Sequence, residues 1–186
     1  MAGELQLGGT TLATHTGSGA SAKINLDSGL VFPAGHVIQY NSTATESIAG
    51  ISTGTTGTGT GLSVGITPSS ASSKIIVQAD LCVGKASANA GVGYYIYRTA
   101  PSNTSSANTT NGTYKASAWS YLGTSSDSII NGLSIFFEDT PADNTSIHTY
   151  EVYVISNLTF TTYLNKRGLD NLWGGTSSIT VFEVSQ

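Results

Sequence analysis

The segment KIIVQADLCVG, residues 74–84, constrains the fold more than any other part of the sequence. Side chains along an extended strand alternate between two faces. One face of this segment carries only apolar residues, namely Ile75, Val77, Ala79, Leu81 and Val83. The other face mixes apolar with polar residues, namely Ile76, Gln78, Asp80 and Cys82. This period of two predicts a β-strand with one face in the core.

Eight further segments have the same character, and turns rich in Gly, Ser and Asn separate them. They are HVIQYN (36–41), GLSVGIT (61–67), VGYYIYR (92–98), YKASAWSYL (114–122), GLSIFFE (132–138), HTYEVYVIS (148–156), LTFTTYLN (158–165) and SSITVFEV (177–184). No window combines helical spacing of apolar residues with capping signals. The sequence therefore predicts an all-β protein, an antiparallel β-sandwich. Loops of uneven length favour a jelly roll over a meander barrel.

The chain divides by composition into two parts. Residues 1–34 are rich in Gly, Thr and Ser and contain only a few scattered apolar residues. This composition predicts an extended N-terminal arm that docks on a particle or a neighbouring subunit. Residues 35–186 form the predicted β-sandwich domain. Within it, STGTTGTGTG (52–61) has no side chain larger than Thr and is expected to be an exposed loop.

Charge is scarce, since Asp, Glu, Lys and Arg make up 10% of the chain against about 25% in a typical domain. The net charge is −4, and only Lys166 and Arg167 are adjacent basic residues. A duplex-binding protein needs a basic stripe, so no nucleic-acid partner is predicted. No apolar run reaches membrane-spanning length, so no membrane insertion is expected. The single cysteine, Cys82, excludes an intramolecular disulfide and is expected to be buried and inert.

The three histidines, His15, His36 and His148, lie far apart in the sequence, and none has a second ligand at metal-binding spacing. A nucleophile elbow, a phosphate loop and a dinucleotide fingerprint are also absent from the sequence. The sequence therefore predicts a non-enzymatic protein with no catalytic residue, no cofactor and no metal site.

His36 stands in SGLVFPAGHVIQY, residues 28–40, where Pro33 and Gly35 are expected to shape a turn. We interpret His36 as a polar residue at the start of a strand. Phe32 and Val37, on either side of this turn, are expected to enter the core.

Acidic residues cluster once, in EDTPAD, with Glu138, Asp139 and Asp143. Paired carboxylates serve glycoside hydrolysis, and clustered oxygens bind calcium. Acids around a proline turn more often bond nearby backbone amides. Turn chemistry is the favoured interpretation, and a cation at this turn stays an open alternative.

Three aromatic residues are candidates for surface binding: Tyr97, Trp119 and Trp173. Exposed aromatic rings stack on sugars or anchor protein interfaces. They define an alternative function, a carbohydrate-binding module of the lectin type. Its depolymerase variant would add Glu138 with Asp139 or Asp143 as the acid–base pair.

Four segments occur in a fixed order: GLVFPAGHVIQ, GLSVGITPSSASSKIIVQADLCVG, SIFFEDTPADNTSIHTYEVYV and GGTSSITVFEVSQ. Together, over roughly residues 28 to 186, they resemble a family of virion surface proteins of marine and freshwater bacteriophages, cyanophages among them. The resemblance implies a structural protein of the virion exterior, such as a tail fibre, knob or short appendage, that attaches to the host. It also implies a homotrimer, and it gives His36 no catalytic role.

Partners implied in this way are other virion proteins, bound through residues 1–34, and a glycan or protein of the host cell surface. Fibre proteins of this kind usually carry a long N-terminal shaft, whereas this chain has only the short arm. The difference favours a knob, a short appendage or a capsid decoration protein that stabilises the head.

Overall fold

A computed structural model describes residues 3–7, 10–16, 23–26, 33–85, 91–106, 117–121 and 130–186. All regular secondary structure in these ranges is β-strand. The strands are β1 (Gly3–Leu7), β2 (Thr10–Thr16), β3 (Lys23–Leu26), β4 (Val37–Thr45), β5 (Ala49–Thr53), β6 (Thr58–Ile66), β7 (Lys74–Lys85), β8 (Gly91–Ala100), β9 (Thr104–Ser105), β10 (Ala118–Tyr121), β11 (Asn131–Asp139), β12 (His148–Ser156), β13 (Phe160–Leu164) and β14 (Ser177–Val184). In these ranges no helix is long and apolar enough to cross a bilayer.

The chain folds into two compact units, Met1–Ala34 and Gly35–Gln186. The first unit contains an antiparallel sheet of three strands in the order β1-β2-β3. Sequence reasoning assigned no strand to this segment, because its apolar residues are few and alternate with polar ones only over short stretches such as residues 5–7 and 24–26. Regular strands therefore occupy part of the segment that we expected to be an extended arm.

The second unit is built from eight main strands that pair in a nested order. The first pairs with the last (β4 with β14), the second with the seventh (β6 with β12), the third with the sixth (β7 with β11) and the fourth with the fifth (β8 with β10). All four pairs are antiparallel, and alternate pairs belong to different sheets. This arrangement is a jelly roll, and the predicted fold class is confirmed.

The first sheet has the order β4-β14-β7-β11, and the second has the order β6-β12-β8-β10. Three short strands extend them. Strand β13 pairs with the end of β7 and with β5, and β9 pairs with β8. Strands β5 and β6 include residues 52–53 and 58–61, so the prediction of an exposed loop over residues 52–61 is wrong at both ends. Thr53 is buried, and its Oγ1 donates to the carbonyl oxygen of Phe160 (3.0 Å).

One hydrophobic core lies between the two sheets. The first sheet contributes the predicted apolar face of β7 together with Ile135, Ile179 and Val181. The second sheet contributes Leu62, Val64, Ile66, Val92, Tyr94, Ile96, Tyr150, Val152 and Val154. The alternation in residues 61–67 and 74–84 therefore identified core side chains correctly, because the period of two is a local property of a strand with one face in the core.

The inner side of the edge strand β4 is polar rather than apolar. Gln39 Nε2 donates to the carbonyl oxygen of Thr67 (2.7 Å), and Asn41 Nδ2 donates to that of Gly65 (3.0 Å). Gly65 lies in β6 and Thr67 directly follows it, and β6 is the edge strand of the opposite sheet. Hydrogen bonds to these carbonyl oxygens therefore protect the edge of that sheet from pairing with another chain. Val37 is 58% exposed, so the prediction that it enters the core is wrong, and Phe32 lies outside the described residues.

The turn before β4 joins the two ends of this unit. Gly35 has a φ of 90°, a backbone conformation that glycine adopts without strain. Gly35 N donates to the carbonyl oxygen of Ser185 (2.8 Å), and Ser185 N donates to that of His36 (2.9 Å). His36 is exposed and immediately precedes β4, as its interpretation as a residue at a strand start requires.

Candidate functional site

The three acids of EDTPAD do not form one site. Glu138 carries an ion pair with Lys74 (2.9 Å) and is exposed. Asp139, the next residue along β11, has the opposite orientation and contacts Arg98 and Tyr150. Asp143 lies in the following turn. The alternation of side chains along a strand separates Glu138 from Asp139, so the structure does not bring these two acids together as a catalytic pair.

Arg98, Asp139 and Tyr150 close one end of the core. Arg98 Nη1 donates to Asp139 Oδ2 (2.5 Å), and the Tyr150 hydroxyl donates to the same oxygen (2.9 Å). The arginine and aspartate side chains are only 10% and 11% exposed. Burial raises the pKa of Tyr150, and the adjacent Asp139 charge raises it further. The network joins β8 and β12 of the second sheet to β11 of the first, so its geometry supports a structural role.

The Asp143 carboxylate is held within its own turn. Thr145 donates to Asp143 Oδ1 from its backbone N (2.8 Å) and from its Oγ1 (2.7 Å). Hydrogen bonds from Ser146 and Thr145 hold the pKa of Asp143 well below its usual range. His148 is buried, and its Nε2 donates to the Asp143 carbonyl oxygen (2.8 Å). In the described ranges no three His, Cys, Asp or Glu residues are grouped to hold a metal ion.

Glu183 is a buried acid that sequence reasoning missed, because nothing in SSITVFEV distinguishes it from an exposed polar residue. Its Oε1 accepts from the backbone N and the Oγ of Ser69 (both 2.7 Å), and its Oε2 accepts from Gln39 Nε2 (2.5 Å). Burial raises the pKa of Glu183, but hydrogen bonds from Ser73, Ser69 and Gln39 outweigh burial and leave the pKa below its ordinary value. The carboxylate ties the β6–β7 turn to β14.

The opposite end of the core is closed by neutral hydroxyls and a buried lysine. The Tyr94 hydroxyl donates to Thr162 Oγ1 (2.9 Å), which donates in turn to the carbonyl oxygen of Gly84 (2.8 Å). Lys85, the last residue of β7, is buried beside this chain of hydrogen bonds, and burial lowers the pKa of its ammonium group. Cys82, three residues earlier, is half-buried, and burial raises the pKa of its thiol.

Tyr97, one of the predicted surface aromatics, belongs to a cluster of three tyrosines on the outer face of the second sheet. Its ring centroid lies 4.9 Å from that of Tyr153 and 6.5 Å from that of Tyr95, and the last two lie 5.6 Å apart. All three are half-buried. Glu151 lies opposite Tyr97 in the strand register and accepts a hydrogen bond from Gly61 N (2.9 Å). The cluster is a shallow aromatic surface with one carboxylate at its side.

Trp173 lies elsewhere, in the loop that joins β13 to β14, and its indole is exposed beneath the guanidinium of Arg167 (5.7 Å). Two exposed leucines, Leu169 and Leu172, share this loop. Trp119 pairs with Gly93 in the register of β10 with β8, and its side chain lies outside the described residues. Tyr97 and Trp173 therefore do not form a common aromatic site, and the two leucines were missed because sequence alone does not distinguish an exposed leucine from a core one.

No protein-family model matches the chain, and no curated protein matches it either. Among solved structures it is similar to that of the infectious bursal disease virus Gt strain, with a TM-score of 0.44 and 10% identity over 94% of this chain and 48% of that chain. For T=1 particles derived from the same virus the TM-score is 0.42, with 8% identity over 94% and 46% of the two chains. For the VP2 subviral particle the TM-score is 0.39, with 8% identity over 88% and 42%. The chain spans less than half the length of each of these three proteins.

Proposed function

We propose that this chain is a non-enzymatic structural protein of a bacteriophage virion exterior, in a tail fibre, knob or short appendage that attaches to the host. The observation that carries the proposal is the nested jelly roll, an architecture that recurs in viral capsid and lectin domains. The sequence resemblance to bacteriophage surface proteins points to the same class and supplies the choice of virus.

The polar chemistry of the described residues supports a structural role. The acids of EDTPAD are each engaged in an ion pair or a turn, and Glu183 joins a turn to a strand. The surface is solvated by hydroxyls and amides rather than by ions, since charged residues are 10% of the chain. Such a surface changes little with salt, which suits a particle exterior, because salt screens exposed ion pairs.

The tyrosine cluster supports the attachment role. Aromatic rings with hydroxyl and carboxylate groups beside them provide both the stacking and the hydrogen bonds that a sugar requires. Tyr97, Tyr153 and Glu151 are the residues that a host surface glycan would contact in this proposal. The same cluster is what favours a lectin-like module as a second candidate.

Two further parts of the proposal concern assembly. Residues 1–34 connect the protein to other virion components, and the protein assembles as a homotrimer. A capsid decoration protein is the alternative location. Native mass from light scattering tests the trimer, with three times the 19.1 kDa chain mass expected.

Immunogold electron microscopy tests the virion location, on particles purified from the phage whose genome encodes the chain. Antibody raised against the full chain is expected to label the tail or an appendage, and the purified protein is expected to block adsorption to host cells. Label on the head with unchanged adsorption would favour decoration. Absence of the chain from purified particles by mass spectrometry would overturn the proposal.

A further inference from the structure

The loop between β13 and β14 presents three large apolar side chains to solvent. Leu169, Leu172 and Trp173 are 57%, 80% and 61% exposed. An exposed apolar group of this size within nine residues is unusual and commonly marks an interaction site. We call these three residues the apolar tip.

Contacts within the loop hold the backbone beneath the apolar tip. Lys166 and Gly174 form an isolated β-bridge that closes the loop. Arg167 Nε donates to Asp170 Oδ1 and Arg167 Nη2 donates to Asp170 Oδ2 (2.6 Å each). Leu172 N donates to Asp170 Oδ1 (3.1 Å). These contacts close the loop in the conformation in which its three apolar side chains are exposed.

A second apolar surface crosses the outer face of the first sheet. Tyr40, Phe182 and Ile76 lie directly opposite one another on β4, β14 and β7, and Phe136 of β11 lies diagonally beside Ile76. The Tyr40 and Phe182 rings are stacked, with centroids 6.2 Å apart. Tyr40 is 67% exposed and Phe136 58% exposed. We call these four residues the apolar stripe.

The tip and the stripe of one chain do not cover each other, since Leu169, Leu172 and Trp173 and also Tyr40 and Phe136 are exposed in the same chain. The loop packs on β7 at Gly84, where Lys166 and Arg167 lie against the glycine, whereas the stripe crosses β7 at Ile76. The loop also packs on Cys82 through Gly175, and Phe136 of the stripe lies opposite Gln78. At the nearest point four residues of strand therefore separate the two surfaces, about 13 Å at 3.3 Å per residue.

The charges beside the two surfaces are opposite in sign. Lys166, at the base of the tip, donates to the neutral Asn171 (2.9 Å) and lies over the Tyr163 ring (4.2 Å). Asp80, on the outer face one row from Phe136, is bonded to the neutral groups of Gln78 and Ser134. The loop's one carboxylate, Asp170, is bonded to Arg167 and also lies near Lys166, so the loop that carries the tip keeps a net positive charge. Asp80 forms no ion pair with the described residues, so an anion borders the stripe.

We propose that the apolar tip of one copy of this chain docks on the apolar stripe of another copy, with Lys166 facing Asp80 across the contact. One contact then removes both exposed apolar surfaces from water and pairs both charges. Aromatic and aliphatic anchors packed at the centre of a contact, with charges at its rim, are typical of protein interfaces. The proposal names a contact and its partner, does not depend on the virion role, and leaves the number of copies to measurement.

Two variants of the full chain test the contact, one on each surface. The tip variant is Leu169→Ser with Leu172→Ser, and the stripe variant is Tyr40→Thr with Phe136→Thr, since threonine keeps strand propensity. The control is Ile147→Ser, because Ile147 is equally exposed and belongs to neither surface. Circular dichroism establishes that each variant is folded, and sedimentation velocity over a range of concentrations gives the mass.

Wild type and the control are expected to assemble. Each surface variant is expected to need at least about tenfold higher concentration for assembly, because central apolar anchors carry most of the binding energy. The decisive sample is an equal mixture of the two variants. The tip variant retains an intact stripe and the stripe variant retains an intact tip, so the mixture is expected to form a two-chain complex that neither forms alone.

Charge exchange gives an independent readout. Lys166→Glu and Asp80→Lys are each expected to weaken assembly, and the double variant is expected to restore it. The proposal is overturned if wild type stays monomeric at all concentrations, or if both surface variants keep the wild-type mass. It is also overturned if each variant dissociates and their mixture stays monomeric, because tip and stripe would then not contact each other.

Discussion

At the scale of single residues, alternation along β11 gives two neighbouring acids opposite environments. Glu138 faces solvent with Lys74, whereas Asp139 faces the end of the core with Arg98 and Tyr150. An exposed ion pair contributes about 0–1 kcal/mol to the free energy of unfolding, while loss of one partner from a buried pair leaves an uncompensated charge. Glu138 is therefore the exposed control for Asp139 when the effect of burial on the free energy of unfolding is measured.

Asp139→Asn is expected to lower the free energy of unfolding by about 3 kcal/mol, because Arg98 loses its counter-charge in a buried site. Glu138→Gln is expected to lower it by less than about 1 kcal/mol. Urea denaturation of both variants measures the difference. Equal effects would contradict the assignment of Asp139 to the closed end of the core.

Glu183 is expected to contribute a pH-dependent part of stability. Its pKa in the folded protein lies below the ordinary value, so its contribution is present above the unfolded pKa of about 4.3 and is lost as the pH falls through the folded pKa. The difference in unfolding free energy between wild type and Glu183→Gln should be largest at pH 7 and should shrink below pH ~4. Glu46→Gln, in an exposed loop, is the control. A difference that does not change with pH would refute this role.

At the scale of elements, the first sheet is extended by a loop that packs closely on β7. A Cβ on Gly84 would stand 2.2 Å from the Lys166 carbonyl oxygen and 2.9 Å from the Arg167 Cα. A Cβ on Gly175 would stand 2.2 Å from Cys82 Sγ. Glycine at these two positions lets the β13–β14 loop approach the sheet, and this packing positions Trp173.

Gly84→Ala is expected to destabilise the protein by about 1–3 kcal/mol, because the clash is with backbone atoms that cannot rotate away. Gly132→Ala in β11 is the matched control, since a Cβ there meets nothing within 4 Å. It should be neutral or stabilising by up to about 1 kcal/mol, because glycine weakens a strand interior. Thermal unfolding of the two variants decides the matter, and a tolerated Gly84→Ala would contradict the close packing.

At the scale of the whole molecule, nested pairing makes the second unit depend on contacts between distant parts of the sequence. Strand β14 pairs with both β4 and β7, so the end of the chain completes a sheet begun by residues 37–45. The segment Met1–Ala34 forms a separate compact unit. Gly35–Gln186 therefore contains all eight strands of the jelly roll and every core residue identified in the described ranges.

Removal of residues 1–34 is expected to leave the cooperative unfolding of the remaining chain almost unchanged, with a midpoint shift below about 4 °C, equivalent to roughly 1 kcal/mol in a domain of this size. Calorimetry of the full and shortened chains measures the shift. Loss of a cooperative transition in the shortened chain would show that the two units do not fold independently.

The sequence by itself determined the strands with a strong period of two and their inner faces, because burial of alternate side chains is a local property of an extended chain. It also indicated the jelly roll, from the number of strands and the unequal loops between them. Strands β1, β2, β3, β5 and β9 were missed. Strands β1 and β3 alternate apolar with polar residues over only four or five positions, too few to predict a strand, and β2, β5 and β9 are Gly-, Ser- and Thr-rich segments without a clear period.

Only the tertiary structure decided which charged and polar side chains contact each other. Arg98 and Asp139 are 41 residues apart, and Glu183 is 114 residues from Ser69, so no local pattern relates them. It also decided that Val37 is exposed and that Leu169 and Leu172 stand in solvent. Exposure depends on what packs against a side chain, and in a nested fold the packing partner comes from a distant part of the chain.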